Sequence, residues 1–165
     1  MSAIPSPPPP QLAAVRNRTF DELTVGVSAS IERTLGAHDI ELLAALAGDA
    51  AGAIDATGSE FSVAGHGLGG ALIAAVLGTH LPGPGATYLA QRLQFHAPVG
   101  VGDRLRVSVT VSARDPATQQ VTLACTCVNQ HGSTVISGEA LVCAPTHAIE
   151  RPRDTLPDVR LRLGG

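Results

Sequence analysis

The run from residue 64 to residue 78 (AGHGLGGALIAAVLG) limits the possible folds more than any other part of the chain. It lies in the longest segment without a charged residue, and its apolar side chains recur at helical spacing: Leu68, Leu72, Ile73 and Val76. A helix that is apolar on nearly every side belongs in a core, and about 11 residues are too few to cross a bilayer. Its glycines leave backbone N–H groups open at the positive helix end. We therefore predict a buried central helix whose N-terminal end faces an anion or a polarised carbonyl oxygen.

Composition limits the partners and the compartment. The 165 residues carry a formal charge of −3 and only 2% aromatics, so no basic or stacking surface suits nucleic acid. Cys125 and Cys127 alternate along one strand, and Cys143 stands apart from them. This pattern favours three reduced cysteines that act as small apolar side chains in a cytoplasmic protein. No ligand spacing for a metal occurs, and residues 1–10 lack the basic and apolar regions of a signal peptide. We expect no metal, no cofactor and no membrane association.

The chain divides into three predicted parts. Residues 1–16 are a proline-rich, disordered lead-in, residues 17–146 are a single domain, and residues 147–165 are an extended tail over the surface. Within the domain, a strand over 27–35 precedes a short amphipathic helix that Gly36 caps and Gly48 ends. The segment 49–61 is weakly patterned and is predicted as a loop.

Beyond Ala86 the apolar period changes from helical to alternating. Four long segments rich in β-branched residues follow, over 88–96, 104–114, 120–130 and 134–144. Short turns between them predict an antiparallel meander. One apolar helix against one antiparallel sheet gives an α+β hotdog fold, in which the sheet wraps around the central helix.

Short motifs in a fixed order point to a family. They are Gly48-Asp49, His66-Gly67, Leu81-Pro82-Gly83-Pro84-Gly85, Phe95, Pro98-Val99, Gly102-Asp103, Asn129-Gln130, Gly132, Gly138 and Ala140. In this order the chain resembles the MaoC-like (R)-specific enoyl-CoA hydratases of the hotdog superfamily, from about residue 18 to residue 145. The segments 17–22 and 77–85 are especially similar to the MaoC-like module at the N-terminus of bifunctional hydratase/phosphate acyltransferase proteins.

The resemblance implies hydration of a 2-enoyl thioester, or the reverse dehydration of a 3-hydroxyacyl thioester, on CoA or a carrier protein. In such sites an Asp and a His of a G-D-x-N-P-x-H signature move protons, and backbone N–H groups at the helix start hold the thioester oxygen. It implies catalytic roles for Asp49, His66 and Gly67. Substrate-binding positions implied in the same way are Gly65, Leu68, Gly69 and Ile54. It also implies a homodimer or a higher oligomer.

The signature is degenerate in this chain. Gly48-Asp49 is present, but Ala51, Gly52 and Ile54 stand where the family has Asn, Pro and His, and the loop before His66 is several residues shorter. Ile54 cannot transfer a proton. His66 could act in place of the missing His, and so could one of two loop carboxylates, Asp55 and Glu60.

Two classes of function stay open at this point. One is an enzyme, either a hydratase or dehydratase with an altered site, a hotdog thioesterase, or a recruited biosynthetic enzyme. The other is a non-catalytic acyl-CoA-binding protein or a degenerate subunit of a dimer, which the loss of the signature His favours.

The remaining polar candidates have structural explanations. We expect surface positions for the scattered histidines His38, His80, His96, His131 and His147. Gln91, Asn129 and Gln130 are predicted to make structural hydrogen bonds at strand ends and turns. The arginine pairs at 151/153 and 160/162 could meet a CoA phosphate, but a solvated tail is the favoured interpretation.

Overall fold

The computed structural model describes residues 14–47 and 63–152. The chain forms strand β1 (Val15–Arg16), a 3₁₀ turn (Phe20–Glu22), strand β2 (Ser28–Thr34), helix α1 (Ala37–Ala47) and helix α2 (Val63–Thr79). Strands β3 (Thr87–Phe95), β4 (Arg104–Asp115), β5 (Gln120–Val128), β6 (Thr134–Cys143) and β7 (Glu150–Arg151) follow. Each long element was predicted from the period of its apolar residues.

Five strands form one antiparallel sheet in the order β2-β4-β5-β6-β3. The predicted four-strand meander is therefore wrong for its first strand: only β4, β5 and β6 form a meander, and β3 pairs with β6 at the far edge. Both edges of β4 are occupied, by β2 and by β5. Strand β3 pairs with β6 instead, where Gly138 lets the Arg92 carbonyl approach closely because no side chain intervenes.

One face of the sheet forms the core together with α2. Alternate residues of β4 and β5 are buried, among them Val107, Val109, Leu123 and Cys125. Leu72, Ile73, Val76 and Leu77 of α2 are also buried. This is the predicted hotdog layout of a central apolar helix against a curved sheet.

Helix α2 is longer and more exposed than predicted. It has 17 residues instead of about 11, because it begins at Val63, before the glycines. One of its faces is exposed, and that face carries only small residues: Gly67, Ala71, Ala74, Ala75 and Gly78. The prediction of a helix buried on nearly every side is therefore wrong for the single chain, because the sheet covers only part of the helix.

The two terminal segments pair with each other. Val15 and Arg16 of β1 lie opposite Arg151 and Glu150 of β7, so regular structure extends into both segments that were predicted as lead-in and tail. Asn17, only 2% exposed, joins them: its Nδ2 donates to the His147 carbonyl at 2.9 Å. Its Oδ1 accepts the Ile149 N–H at 2.8 Å.

Helix α1 begins where the sequence predicted. Gly36 precedes its first turn, and the Asp39 carboxylate accepts the Gly36 N–H at 2.9 Å while also pairing with Arg33. Burial opposes ionisation of Asp39, but these two partners lower the pKa of its carboxyl. Among the described residues, no helix is long and apolar enough to cross a membrane.

Candidate functional site

The first turns of α2 carry the residues predicted to face the thioester. Gly65 and His66 belong to the first turn, and Gly67 is the fifth residue of the helix. In a regular helix the amides without a carbonyl partner are those of the first four residues. By this rule the amides available to a ligand are those before Gly67, and the Gly67 amide itself belongs to the regular hydrogen-bonding pattern.

The contacts of Gly67, Leu68 and Gly69 show which elements lie around the start of α2. Gly67 is exposed, and a β-carbon there would lie 3.4 Å from Leu43 of α1. Leu68 is half-buried against the core, and Gly69 is buried directly under Ile136 of β6. The α2 start thus lies between α1 and the sheet, and Gly67 keeps its outer side open.

The proton-transfer half of the predicted site lies outside the described residues. This applies to Asp49 and Ile54 and to the alternative carboxylates Asp55 and Glu60. The side chain of His66 also lies outside the described part of the chain. The roles inferred for these residues stay predictions.

A cavity of about 330 Å³ lies between the second half of α2 and strand β3. Its lining is apolar except for a phenol and a carboxamide: Ala74, Leu77, Gly78, Ala86, Tyr88, Gln91 and Val142. It falls within the size range of small-ligand sites, which typically combine apolar walls with a few polar groups.

A β-bulge turns Tyr88 towards this cavity. Tyr88 lies opposite Val142 and Gln91 lies opposite Ala140, but the register shifts between Tyr88 and Ala90, so that Leu89 is the extra residue. Val142 and Ala140 are both buried, and the bulge therefore places Tyr88 and Gln91 on one face of the sheet, where both side chains stay partly exposed in the single chain, Tyr88 to 41%. Strict alternation would have placed Tyr88 on the outer face.

Partial burial makes the Tyr88 phenol a weaker acid than a phenol in water. Burial, followed by the nearby Cys125, raises the pKa of Tyr88 to about 12, so the phenol stays neutral at physiological pH. This single tyrosine and Gln91 are the polar residues of the cavity lining, and the other lining residues are apolar.

Comparison with known proteins decides the family. A 3-hydroxybutyryl-CoA dehydratase of Methylorubrum extorquens is 36% identical over 163 residues, which is 93% of this chain and 98% of the relative. The chain belongs to the MaoC-like (R)-specific enoyl-CoA hydratase family.

Further relatives agree with this assignment. An (R)-specific enoyl-CoA hydratase of Rhodospirillum rubrum is 40% identical over 132 residues, covering 76% of this chain and 91% of that protein. The unliganded R-hydratase PhaJ1 of Pseudomonas aeruginosa superposes with a TM-score of 0.80 at 35% identity, over 91% of this chain and all of that one. The chain matches no family model.

The histidines in the described part of this MaoC-like chain make local contacts with neighbouring polar side chains. Of the histidines, His80 contacts Thr79 Oγ1 at 2.6 Å and His96 contacts Ser137 Oγ at 2.6 Å. His131 lies beside Gln130, and His38 lies 3.7 Å from Glu41. Among residues 14–47 and 63–152, no group of His, Cys, Asp and Glu is arranged to hold a metal ion.

Three amide side chains of this hydratase relative were predicted to be structural. Asn129 Oδ1 accepts the N–H groups of His131 and Ser133, and Gln130 Nε2 donates to Asp103 at 2.9 Å, so both of these predictions are confirmed. Gln91 instead lines the cavity. Sequence analysis missed Tyr88 altogether, because nothing in an alternating pattern marks the bulge that turns it inward.

Proposed function

We propose that the chain is a hydratase or dehydratase that interconverts 2-enoyl and 3-hydroxyacyl thioesters of CoA or a carrier protein. The observation that carries this proposal is the likeness to the dehydratase of Methylorubrum extorquens over 98% of that protein's length. The fold supports it, because the apolar central helix offers both an N-terminal end for a carbonyl oxygen and an apolar cavity beside its second half.

In this proposal the thioester oxygen binds at the start of α2, near Gly65, His66 and Gly67. The open amides of the first turn stabilise the negative charge that develops on this oxygen when water adds to the conjugated double bond. The acyl chain follows the exposed face of α2 towards the cavity. Burial of an acyl chain there is favourable because each methylene removed from water contributes about 0.8 kcal/mol.

The proton transfers are proposed to depend on Asp49. In the hydration direction its carboxylate takes a proton from water as the oxygen attacks Cβ, and the proton is then delivered to Cα. Ile54 leaves Asp49 without the usual histidine, so we propose that His66 assists and that the rate is lower than with a complete pair. We also propose that Leu68, Gly69 and Ile54 border the substrate.

The test is turnover by the purified full-length chain. We expect crotonyl-CoA to lose its enoyl absorbance and to yield 3-hydroxybutyryl-CoA without release of free CoA. Release of free CoA at the same rate would instead identify a thioesterase. Failure to turn over any enoyl-, 3-hydroxyacyl- or saturated acyl-CoA would contradict the enzyme proposal.

A second candidate function is favoured by Ile54 itself. Without a proton-transferring residue at that position, the chain would be an acyl-CoA-binding protein or the inactive subunit of a dimer. Calorimetry with butyryl-CoA separates the two, because this candidate predicts binding without turnover, whereas the hydratase proposal predicts both.

We propose that the chain forms a homodimer through strand β3. This strand lies at an edge of the sheet that the described residues form, and its large exposed apolar side chains include Tyr88 and Leu89. The other edge strand, β2, carries the charged pair Glu32 and Arg33, which discourages pairing with another chain. Strand β3 carries a single charged residue, Arg92, and its exposed apolar side chains suit an antiparallel strand of a second copy.

A further inference from the structure

Two turns and a helix junction meet at one end of the sheet. The segment before β4 and the turn between β5 and β6 lie at this end, because β4, β5 and β6 are antiparallel neighbours. The junction between β2 and α1 lies there too, since Thr34 pairs with Arg104. The first half of α2 passes the same end, where Gly69 lies against Ile136 near the start of β6.

The side chains of Asp103 and Gln130 join the two turns. Gln130 Nε2 donates to Asp103 Oδ1 at 2.9 Å, and Gln130 Oε1 accepts the Arg104 N–H at 3.1 Å. The other carboxylate oxygen of Asp103 accepts the Gly100 N–H at 2.9 Å. Gln130 Nε2 also lies 3.3 Å from His131 Nε2. Each oxygen and nitrogen of the two side chains thus has a partner, and the turn after β5 is tied to the segment before β4.

The backbone of this segment holds the junction that precedes α1. The Leu35 N–H donates to the Asp103 carbonyl at 2.9 Å, and the Leu35 carbonyl accepts the Gly102 N–H at 2.8 Å. Leu35 is fully buried, and Gly36 and the first turn of α1 follow directly. The place where α1 begins is therefore set by the segment that the two side chains hold.

Helix α1 extends from this junction over the start of α2. Ile40 is buried, and Leu43 lies 3.4 Å from the position of a β-carbon on Gly67. The helix has 11 residues and ends at Ala47, which makes it about 16 Å long at 1.5 Å per residue. Asp49 follows Ala47 by two residues in the sequence. A displacement at the beginning of this rigid element is carried to its end.

We propose that Asp103 and Gln130 are positioning residues for the hydration reaction. They act through the Leu35 junction and α1, and they set where Asp49 lies relative to the start of α2. The inference rests on the proposed function, because it takes Asp49 as the group that transfers protons. Neither side chain contacts the substrate. A misplacement of about 1 Å far from the reacting atoms can lower a rate about a hundredfold.

The pattern of donors and acceptors in this pair provides a test by exchange. In Asp103→Asn the new amide faces the Gln130 amide, and turning Gln130 over moves the conflict to the Arg104 N–H. In Gln130→Glu two carboxylates face each other. In the double variant Asp103→Asn and Gln130→Glu the amide donates to the new carboxylate, so every contact has a donor and an acceptor again. His131 accommodates the carboxylate by donating from Nε2.

The experiment measures kcat and KM for crotonyl-CoA hydration in the wild type, both single variants and the double variant. We expect each single variant to lower kcat about tenfold to a hundredfold. KM should stay at the wild-type value, because no substrate contact changes. The double variant should recover most of the lost kcat, whereas two independent losses would multiply.

Asp115→Asn is the matched control. Asp115 also orders a turn, at the opposite end of β4, where its carboxylate accepts the Ala117 N–H at 2.9 Å and the Thr118 hydroxyl at 2.7 Å. No helix begins at that turn, so Asp115→Asn should keep the wild-type kcat. Thermal unfolding shows whether each variant is folded. Gln130→Ala, which truncates an exposed side chain, replaces any single variant that does not fold.

Three results would overturn the inference. They are an unchanged kcat in both single variants, a double variant no faster than the slower single variant, and an equal loss of kcat in Asp115→Asn. An increase in KM at constant kcat would also contradict it, because the pair would then affect substrate binding and not the placement of Asp49.

Failure of the proposed function gives a different result. If the wild type does not hydrate crotonyl-CoA, hydrogen exchange is measured at the Leu35 amide and along α1 in the same variants. Faster exchange in the single variants that returns to the wild-type rate in the double variant supports control of α1 by the pair, although hydration has failed. Equal exchange rates in all four proteins contradict the inference.

Discussion

Ile136 Cδ1 lies where a side chain on Gly69 would begin, so helix α2 and strand β6 touch without an intervening β-carbon. Ile136 is fully buried, and its terminal methyl group has little free space into which it could move. This contact sets the distance between the central helix and the sheet at the end of the helix where the thioester is proposed to bind.

Gly69→Ala should therefore lower the free energy of unfolding by about 1–2 kcal/mol. Overpacking against Ile136 costs about 1–3 kcal/mol and outweighs the gain of up to about 1 kcal/mol in helix propensity. Urea denaturation measures the change. Gly78→Ala is the matched control: a β-carbon there meets nothing within 4 Å, so this variant should be more stable than the wild type.

A double variant tests the cause. Ile136→Val removes the methyl group that collides, so Gly69→Ala should cost less in the Ile136→Val background than alone. Equal costs in the two backgrounds would show that the contact does not limit the approach of the helix.

Asn17 should be the most sensitive polar residue where the two terminal segments, β1 and β7, pair with each other. Its side chain is the donor to His147 and the acceptor from Ile149, and it is buried. Asn17→Ala leaves both backbone groups without partners and should cost about 2–4 kcal/mol. The comparison variant is Asn129→Ala, which also loses two backbone hydrogen bonds but in a turn open to water. If urea denaturation gave the same decrease in the free energy of unfolding for both variants, burial of Asn17 would not explain its effect.

Much of this fold was predictable because each long element carries its own period. Alternation in β5 placed Cys125 and Cys127 on one side of their strand as small apolar residues, and both are buried. The order of strands in the sheet was not predictable from periods, because β3 could pair with β4 or with β6 and no local pattern distinguishes them.

The site was less predictable than the fold. The glycines marked the first half of α2, but the helix begins at Val63, before them. Tyr88 was missed since a bulge at Leu89 reverses the direction in which the side chain points. Asp49 and Ile54 were identified by resemblance alone, because no pattern of apolar residues marks a proton-transfer group.

Stability should fall at alkaline pH because two thiols are buried. Burial raises the pKa of Cys125 and of Cys127 from 9.0 to about 11. A raised pKa means that the fold favours the neutral thiols, so their contribution is complete below pH 9 and is lost as the pH rises towards 11.

Urea midpoints measured across this range should decrease in the wild type. Tyr88 adds to the loss at still higher pH, since its pKa is raised from 10.0 to about 12. In the double variant Cys125→Ala and Cys127→Ala the decrease between pH 9 and 11 should be smaller. The same decrease in both proteins would mean that other groups are responsible.

The proposed dimer predicts a difference between the two sheet edges. If β3 pairs with a second copy, its outward amides should exchange hydrogen slowly at high protein concentration and faster on dilution. The outward amides of β2 should exchange at a rate that does not depend on concentration. If dilution speeded hydrogen exchange at the outward amides of both edge strands, or of neither, pairing through β3 would be contradicted.

The most direct test of the proposed function compares crotonyl-CoA hydration by the wild type, Asp49→Asn and Asp55→Asn. We predict that Asp49→Asn lowers kcat at least about a hundredfold, as expected for loss of a general acid–base group, and that Asp55→Asn keeps the wild-type rate. In the same assay, Ile54→His should raise the rate by restoring a proton-transferring side chain. An Asp49→Asn variant that hydrates crotonyl-CoA as fast as the wild type would contradict the proposed mechanism.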